Sequence, residues 1–246
     1  MHIVGHRGAK GEVAENTLRG FHHLRTLGIH RVELDIRLSK DNELMVLHDR
    51  TVDRTSNGRG SVRDFSAEQL QQLNADKAHP QWHPDQGIPT LAAVVQTWPE
   101  LEHIQCEVKT DDLVTLTVLT QQLARFIVEH NLLQQAVVTS SDVRVLEKIK
   151  QINPHIQTGY VAGRFCRYPL TTALQLECHY LVIHYHRCTA PLVEAAQQAH
   201  LRLSVWTVNR VNRAKRLQHL GVHQIITDVP ALMLPHFHAL QAYDMA

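Results

Sequence analysis

The chain has 246 residues and a formal net charge of +1, and 43% of its residues are hydrophobic while 20% are charged. These values are typical of a globular domain with a substantial core, and they exclude an intrinsically disordered chain. Lysine and arginine are scattered instead of forming the basic stripe that a phosphate backbone requires, so we expect no nucleic-acid partner.

The first residues, MHIVGHRG, contain no basic segment followed by an apolar one, and no apolar run approaches the roughly 18 residues of a membrane span. We therefore expect a cytoplasmic protein without a membrane span, and no feature indicates a protein partner. The four cysteines contain no C-x-x-C pair and do not resemble a disulfide framework, so free thiols are expected.

Short β-like runs alternate with helical patterns along the chain. A helix is predicted from about Asn16, and long amphipathic stretches include LVTLTVLTQQLARFIVEH and APLVEAAQQAH. The eight candidate barrel strands are HIVGH, RVELDI, HIQCEVK, QAVVTS, IQTGYVA, YLVIHY, LRLSVW and HQIITD. A ninth run, ELMVLH, is hairpin-like. The repeated β-then-α order favours a parallel sheet with right-handed crossovers, and eight units favour a TIM (β/α)8 barrel formed by one domain over residues 1–246.

One stretch, at about residues 49–88, interrupts this order. It carries turn residues and one short helical piece but no clear strand. We interpret it as a small insertion after strand 2 and its hairpin. Long excursions of this kind often form an active-site wall or lid, although a flexible surface loop is the simpler alternative.

Acidic side chains alternate with apolar ones in RVELDI. Val32, Leu34 and Ile36 share one face of the strand, and Glu33 and Asp35 share the other, because successive side chains point to opposite sides. In a barrel the apolar face contacts the surrounding helices, so both carboxylates are predicted to point inward. Two close carboxylates there require a cation.

The run HIQCEVK repeats this pattern and places Glu107 and Lys109 on its polar face. Three carboxylates without a cysteine ligand are typical of a hard-cation site for Mg²⁺ or Ca²⁺. The alternative is a buried ion network in which Lys109 and Arg7 balance the carboxylates. Two strands with the same arrangement favour the metal site.

Two histidines and an arginine follow predicted strand ends, where TIM barrels carry their active sites. His6 and Arg7 follow HIVG, and His48 ends ELMVLH. Imidazole can act as general acid or base near neutral pH, and a guanidinium group can bind a phosphoryl group with two hydrogen bonds. Each residue alone is weak support, and the hypothesis depends on the set.

Four motifs in chain order, HRGAKGEVAENT, ELDIRLSKDNELMVLHDRTVDRTSNGRGSV, EVK and TDVP, resemble the signature of the glycerophosphodiester phosphodiesterase family. The resemblance spans nearly the whole chain. It implies a TIM barrel with a small insertion after strand 2, one divalent metal ion, and cleavage of deacylated phospholipids to glycerol 3-phosphate and an alcohol. It also implies roles for seven residues: metal ligands Glu33, Asp35 and Glu107, catalytic His6 and His48, and phosphate-binding Arg7 and Lys109.

The chain departs from the family pattern at Ala14, where proline is usual before E-N-T, and we expect little effect on the chemistry. Asn16 is predicted to be a helix N-cap, and Glu15 a partner that supports the site from behind its ligands. Trp206 is predicted to face inward, where its ring could pack against the glycerol carbons of a substrate or belong to the barrel core.

Several alternatives stay open. A related enzyme acting on acylated lipid, such as a lysophospholipase D or sphingomyelinase D, would need an exposed apolar patch, and the loops show no cluster of Trp, Phe and Leu. A non-catalytic phosphate-binding barrel would lack catalytic groups, which are present here. The nucleophile can be water or a substrate hydroxyl, and choline, ethanolamine, glycerol and inositol esters are all open.

Overall fold

The computed structural model describes residues 1–77 and 87–237. Its strands are β1 (His2–His6), β2 (Arg31–Leu38), β3 (Leu44–Val46), β4 (His103–Val108), β5 (Ala136–Ser140), β6 (Gln157–Val161), β7 (Tyr180–His184), β8 (Arg202–Trp206) and β9 (Gln224–Thr227). Its α-helices are α1 (Leu18–Thr26), α2 (Ala67–Gln71), α3 (Leu91–Gln96), α4 (Leu113–Glu129), α5 (Val143–Ile152), α6 (Pro169–Gln175), α7 (Ala190–Gln198), α8 (Val211–His219) and α9 (Pro230–Met233). Short 3-10 helices cover Val62–Asp64, Tyr185–Arg187 and Leu234–His236.

Eight of the strands close into a parallel barrel. The order is β1, β2, β4, β5, β6, β7, β8 and β9, and β9 pairs with β1 to complete the ring. The remaining strand, β3, pairs antiparallel with the end of β2, with Ile36 opposite Val46 and Leu38 opposite Leu44. The predicted TIM barrel and the predicted hairpin are both confirmed.

The two faces of β2 have the environments that their alternation predicts. Val32, Leu34 and Ile36 belong to the large apolar core between barrel and helices. Glu33 and Asp35 are 1% and 0% exposed and face the interior. Side chains of a strand point to only two sides. Because the apolar side packs against the helices, both carboxylates must point into the barrel.

The segment after β3 forms a small core of its own. Met45 and Leu47 pack there with Val52, Val62 and Leu70. The predicted insertion at about 49–88 lies partly outside the described residues, since residues 78–86 are not among them. Its limits, and the reading of residues 1–246 as one domain, stay predictions.

Four side chains form a polar layer inside the barrel, on β4, β8 and β9. His103, Gln105, Ser204 and Gln224 are buried. Gln224 Nε2 donates to Ser204 Oγ at 3.0 Å and lies 3.4 Å from His103 Nε2. This layer contains no carboxylate that could stabilise a positive charge on His103. The interior below the acidic side chains therefore favours the neutral imidazole of His103.

The described cysteines form no disulfide, which agrees with the expectation of free thiols. Cys106 and Cys178 are buried, and Cys166 and Cys188 are partly buried. Over the described ranges, no helix is long and apolar enough to cross a membrane.

We predict that His103 makes the fold sensitive to acid. Burial, followed by Arg31 and neighbouring histidines, lowers the pKa of His103 to about 3 from 6.5. Below pH 6.5, His103 therefore binds a proton in the unfolded chain but not in the folded chain. The free energy of unfolding consequently decreases as the pH falls. Between pH 7.5 and pH 5 this loss is about 2 kcal/mol, and His103→Gln should lack it.

The measurement is urea unfolding of both proteins at the two pH values, in the presence of a chelator. Other titrating groups are common to both proteins and cancel in the comparison. An equal loss of stability in wild type and His103→Gln would show that His103 does not stay neutral in the folded state.

Candidate active site

The three predicted acidic residues converge at the carboxyl ends of β2 and β4. Glu33, Asp35 and Glu107 each place one carboxylate oxygen within 4.8 Å of the others. The β2–β4 register explains this, because Asp35 is paired with Glu107 across the two strands. We call these three residues the acid centre.

The acid centre has the chemistry of a hard-cation site. Its donors are all carboxylate oxygens, which Mg²⁺ and Ca²⁺ prefer. Glu33 Oε1 is buried and accepts no hydrogen bond from any described residue. Burial, together with repulsion from Asp35, raises the pKa of Glu33 to about 7. A buried carboxylate with a free oxygen and an unfavourable charge fits a divalent cation.

Arg7 and Lys109 supply the positive charge that the protein itself offers. Lys109 Nζ lies 2.9 Å from Asp35 Oδ1 and 2.6 Å from Glu107 Oε1. Arg7 Nε lies 3.1 Å from Asp35 Oδ2, and its backbone N–H donates to Glu33 Oε2 at 3.1 Å. Burial alone would raise the pKa of Asp35, but Lys109, Arg7 and His48 outweigh it and lower that pKa. Two fixed cations leave three carboxylates only partly neutralised.

His6 is held from behind by a carboxylate at the end of β9. Its Nδ1 donates to Asp228 Oδ1 at 2.5 Å, and Asp228 Oδ2 accepts from Asn209 at 2.7 Å. The other ring nitrogen, Nε2, faces the acid centre, 3.8 Å from Glu33 Oε2. Burial opposes ionisation of Asp228, but the His6 hydrogen bond lowers its pKa. Sequence reasoning gave Asp228 no role, although it lies in the TDVP motif.

His48 has a corresponding partner next to it in the chain. Its Nδ1 donates to Asp49 Oδ1 at 2.6 Å, and Arg37 Nε donates to the His48 carbonyl at 2.8 Å. Burial is the main cause of the lowered pKa of His48, and it outweighs the nearby Asp35 carboxylate. The lowered pKa favours the neutral imidazole of His48, which is the form that can accept a proton.

Arg54, from the segment after β3, connects the surroundings of His48 and Arg7. Its guanidinium donates to Asp49 Oδ2 at 2.5 Å and to both oxygens of Glu15 at 2.8 Å. Glu15 in turn accepts from Arg7 at 2.9 Å. These arginines overcome the effect of burial and lower the pKa of Glu15 to about 2. The expected position of Glu15 behind the site agrees with this geometry, whereas Arg54 had no predicted role.

Asn16 differs from its prediction as a helix N-cap. The N-cap of α1 is Thr17, whose Oγ1 accepts from the Gly20 N–H at 3.1 Å. Asn16 takes a left-handed backbone conformation with φ +56°, and its Nδ2 donates to Asp35 Oδ2 at 2.9 Å. The N-cap prediction is wrong because Thr17 satisfies the helix end and leaves Asn16 to bind the acid centre.

Trp206 lies at the mouth of the barrel and combines both environments predicted for it. Its ring packs on an interior cluster that includes Val4, Val161 and Val182, and it contacts the His184 ring edge-on at 5.4 Å. The indole Nε1 is buried without an acceptor among the described residues. The side chain thus belongs to the core and also presents a free donor.

The predicted site residues are brought together at the carboxyl ends of the strands. Carboxylates, cations and two histidines with carboxylate partners share this mouth, where TIM-barrel enzymes bind their substrates. The arrangement defines the class of the protein as a TIM barrel with an enzyme-type polar centre.

Comparison with known proteins gives the family. The model of the glycerophosphoryl diester phosphodiesterase family matches residues 6–232, and the chain belongs to this family. A glycerophosphodiester phosphodiesterase of Caldanaerobacter subterraneus subsp. tengcongensis is 32% identical over 233 residues, which cover 94% of this chain and 96% of the relative. One of Bacillus subtilis is 26% identical over 93% of this chain and 84% of its own.

Solved structures confirm the fold. A phosphodiesterase of Oleispira antarctica, in complex with the product sn-glycerol-3-phosphate, superposes with a TM-score of 0.88 at 22% identity and 97% coverage of both chains. A glycerophosphodiester phosphodiesterase of Agrobacterium tumefaciens superposes with a TM-score of 0.82 at 21% identity, covering 96% of this chain and 99% of its own.

We predict that a divalent cation stabilises the protein through the acid centre. At a concentration 100 times Kd, binding adds about 2.7 kcal/mol to the free energy of unfolding, a rise of roughly 5–10 °C in Tm. Glu107→Gln should lose most of this rise, because it removes one of the three carboxylate ligands. The measurement is thermal unfolding with Mg²⁺, with Ca²⁺ and with chelator.

Glu177→Gln is the matched control, since Glu177 is exposed and lies far from the acid centre in the chain. It should keep the full rise in Tm. An absent rise in wild type, or an equal rise in Glu107→Gln, would favour the buried ion network over the metal site.

Proposed function

We propose that the protein hydrolyses glycerophosphodiesters to glycerol 3-phosphate and an alcohol, with the help of one divalent cation. The observation that carries the proposal is the acid centre, flanked at one barrel mouth by His6, His48, Arg7 and Lys109. Family membership supports it, since relatives over nearly the full chain bear the name glycerophosphodiester phosphodiesterase.

Glu33, Asp35 and Glu107 would hold the cation, and Mg²⁺ and Ca²⁺ both suit three carboxylates. When bound, a divalent cation supplies Lewis acidity to a phosphoryl oxygen and orients the substrate. Asn16 restrains Asp35 through its amide, so that Asp35 keeps its orientation in the barrel. Such supporting contacts fix the ligand geometry.

Arg7 and Lys109 bind the phosphoryl group in this proposal. Both are mostly buried beside Asp35, where their charges are weakly screened. They offset negative charge that develops on the phosphoryl oxygens during the reaction. The guanidinium of Arg7 is fixed by Glu15 before substrate arrives, which reduces the reorganisation needed at the moment of reaction.

His6 and His48 divide the proton transfers. One takes a proton from the attacking hydroxyl or water, and the other gives a proton to the leaving alkoxide. Asp228 and Asp49 each accept from Nδ1, so Nε2 of either ring is the nitrogen available for transfer. Trp206 completes the pocket as a surface for the glycerol carbons.

A second candidate is activity on acylated lipid, and one observation favours it. Phe165 and Tyr168, in the loop after β6, are 93% and 61% exposed. Exposed aromatic side chains beside a site can contact lipid. The cytoplasmic location stays a prediction alongside either activity.

We predict metal-dependent release of glycerol 3-phosphate from glycerophosphodiesters by the purified protein. His48→Ala should lower kcat by about 10²- to 10⁴-fold, because a general acid or base is lost. Glu33→Gln should abolish release by removing a metal ligand. Product is measured with Mg²⁺, Ca²⁺ or chelator, and lysophosphatidylcholine is included as an acylated substrate.

His219→Ala is the control, since His219 is an exposed residue at the end of α8. Full turnover in His48→Ala would remove His48 from the mechanism. Turnover of lysophosphatidylcholine alone would move the function to acylated lipid, and no turnover in a protein that binds the cation would favour a non-catalytic barrel.

We predict that Arg54 is a positioning residue. Arg54→Ala frees both Glu15 and Asp49, so kcat should fall about 10- to 100-fold, the range typical of residues that support a site from behind. Added guanidinium ion should restore part of the lost kcat, because it can occupy the site between the two carboxylates.

Arg59→Ala is the matched control, because Arg59 is an exposed arginine of the same segment. It should keep kcat and show no response to guanidinium. A loss of activity in Arg54→Ala that guanidinium never restores would indicate a general effect on folding instead of positioning.

A further inference from the structure

The barrel mouth has a second wall opposite the acid centre. In the closed ring, β7 and β8 lie three or four strands away from β2 and β4. We call the segments that follow β6, β7 and β8, residues 162–168, 185–189 and 207–210, the distal wall. A diester substrate has an arm on each side of its phosphorus, so one arm of a substrate held at the acid centre extends towards this wall.

The distal wall carries positive charge without any acidic residue. Its sequences, AGRFCRY, YHRCT and TVNR, contain no Asp or Glu. Its four arginines are Arg164, Arg167, Arg187 and Arg210. Two carboxylates at neighbouring strand ends are already committed, because Asp142 pairs with Arg144 and Asp228 with His6. The fixed charge of this wall is therefore cationic.

A chain of ring contacts connects these cations to the barrel interior. Trp206 contacts the His184 ring at 5.4 Å, and His184 contacts Tyr185 at 4.3 Å. The Arg213 guanidinium, in the first turn of α8, lies 3.7 Å from the centre of the Tyr185 ring. Arg213 thus occupies one aromatic face that a quaternary ammonium group would otherwise use.

Arg164 and Arg187 have different roles within the wall. Arg187 donates to the carbonyls of Gly163 and Cys166 and fixes the segment after β6. Arg164 is exposed and contacts no carboxylate among the described residues. Burial is the main cause of the lowered pKa of His184, and His186, Arg213 and Arg164 lower it further.

A hydrogen-bond donor lies next to the wall, on the edge of the Trp206 ring whose face the proposed function gives to the glycerol carbons. The Trp206 indole N–H has no acceptor within the described part of the chain. A free donor next to cationic groups suits an oxygen-rich, negatively charged group. Among the described residues of the wall, no carboxylate is present to bind an ammonium group.

We propose that the distal wall binds the alcohol arm of the substrate and selects glycerophosphodiesters whose alcohol is anionic over those whose alcohol is cationic. The inference rests on the proposed function, because it needs a diester at the acid centre. Glycerophosphodiesters with an uncharged polyol alcohol are selected less than the anionic ones and more than the cationic ones. Arg164 and Arg213 are the specificity-determining residues.

The test compares kcat/KM for glycerophosphoinositol 4-phosphate, glycerophosphoglycerol and glycerophosphocholine, which have anionic, neutral and cationic alcohols. We expect kcat/KM to fall in that order, with about a tenfold difference between the ends, since partly exposed charges interact through a largely aqueous medium. High salt should reduce the difference. Arg164→Glu with Arg213→Glu should reverse the order.

Arg164→Glu alone is the second variant, in case Arg213→Glu disturbs the packing on Tyr185, and it should reduce the difference severalfold. Arg125→Glu is the matched control, because Arg125 is an exposed residue in the C-terminal half of α4 and makes the same charge change away from the mouth. It should keep the wild-type order. An unchanged order in the Arg164 variants, or a wild-type preference for glycerophosphocholine, would overturn the proposal.

Binding separates this inference from the proposed function. Calorimetry on His48→Ala protein with bound cation gives Kd for the same three esters without turnover. Tighter binding of the anionic ester supports the distal wall even if wild type hydrolyses none of them, a result that would refute only the activity. Equal Kd values for all three esters would overturn the wall's role even if all are hydrolysed.

Discussion

Two buried carboxylates, with a third partly buried beside them, are the constraint on which the rest of the site depends. The apolar faces of β2 and β4 must contact helices, and the alternation of side chains then places Glu33, Asp35 and Glu107 in the interior. Water cannot solvate them fully there, so positive charge must come to them. Arg7 and Lys109 supply part of it, and a divalent cation would supply the remainder.

The groups around the acid centre are ordered by the same need for compensation. Arg7, which approaches the carboxylates, is itself held by Glu15 further out, and Glu15 is held by Arg54. Each histidine has one nitrogen fixed by an aspartate. Alternating charge in successive shells allows many ionic groups to share a small, largely buried volume at acceptable desolvation cost.

Local periodicity was sufficient to predict the barrel, the hairpin and the acid centre, because strand alternation and parallel register act over a few residues. It could not predict the pairing of His6 with Asp228, which are 222 positions apart, or that of Glu15 with Arg54. Such pairs depend on ring closure and on the path of the segment after β3. Asn16 was misassigned because Asn16 and Thr17 are both good capping residues, and only the backbone decides between them.

The small core after β3 lets part of the site unfold independently of the barrel. His48 and Arg54 belong to this excursion and not to the closed ladder of parallel strands, and its apolar contacts around Met45 and Leu70 form a cluster distinct from the main core. Regions with separate cores can open as separate cooperative units. A local opening of the excursion would withdraw His48, a proton-transfer group in the proposed function, while the barrel and its three carboxylates stay folded. Catalytic competence would then depend on a part of the chain that global stability does not require.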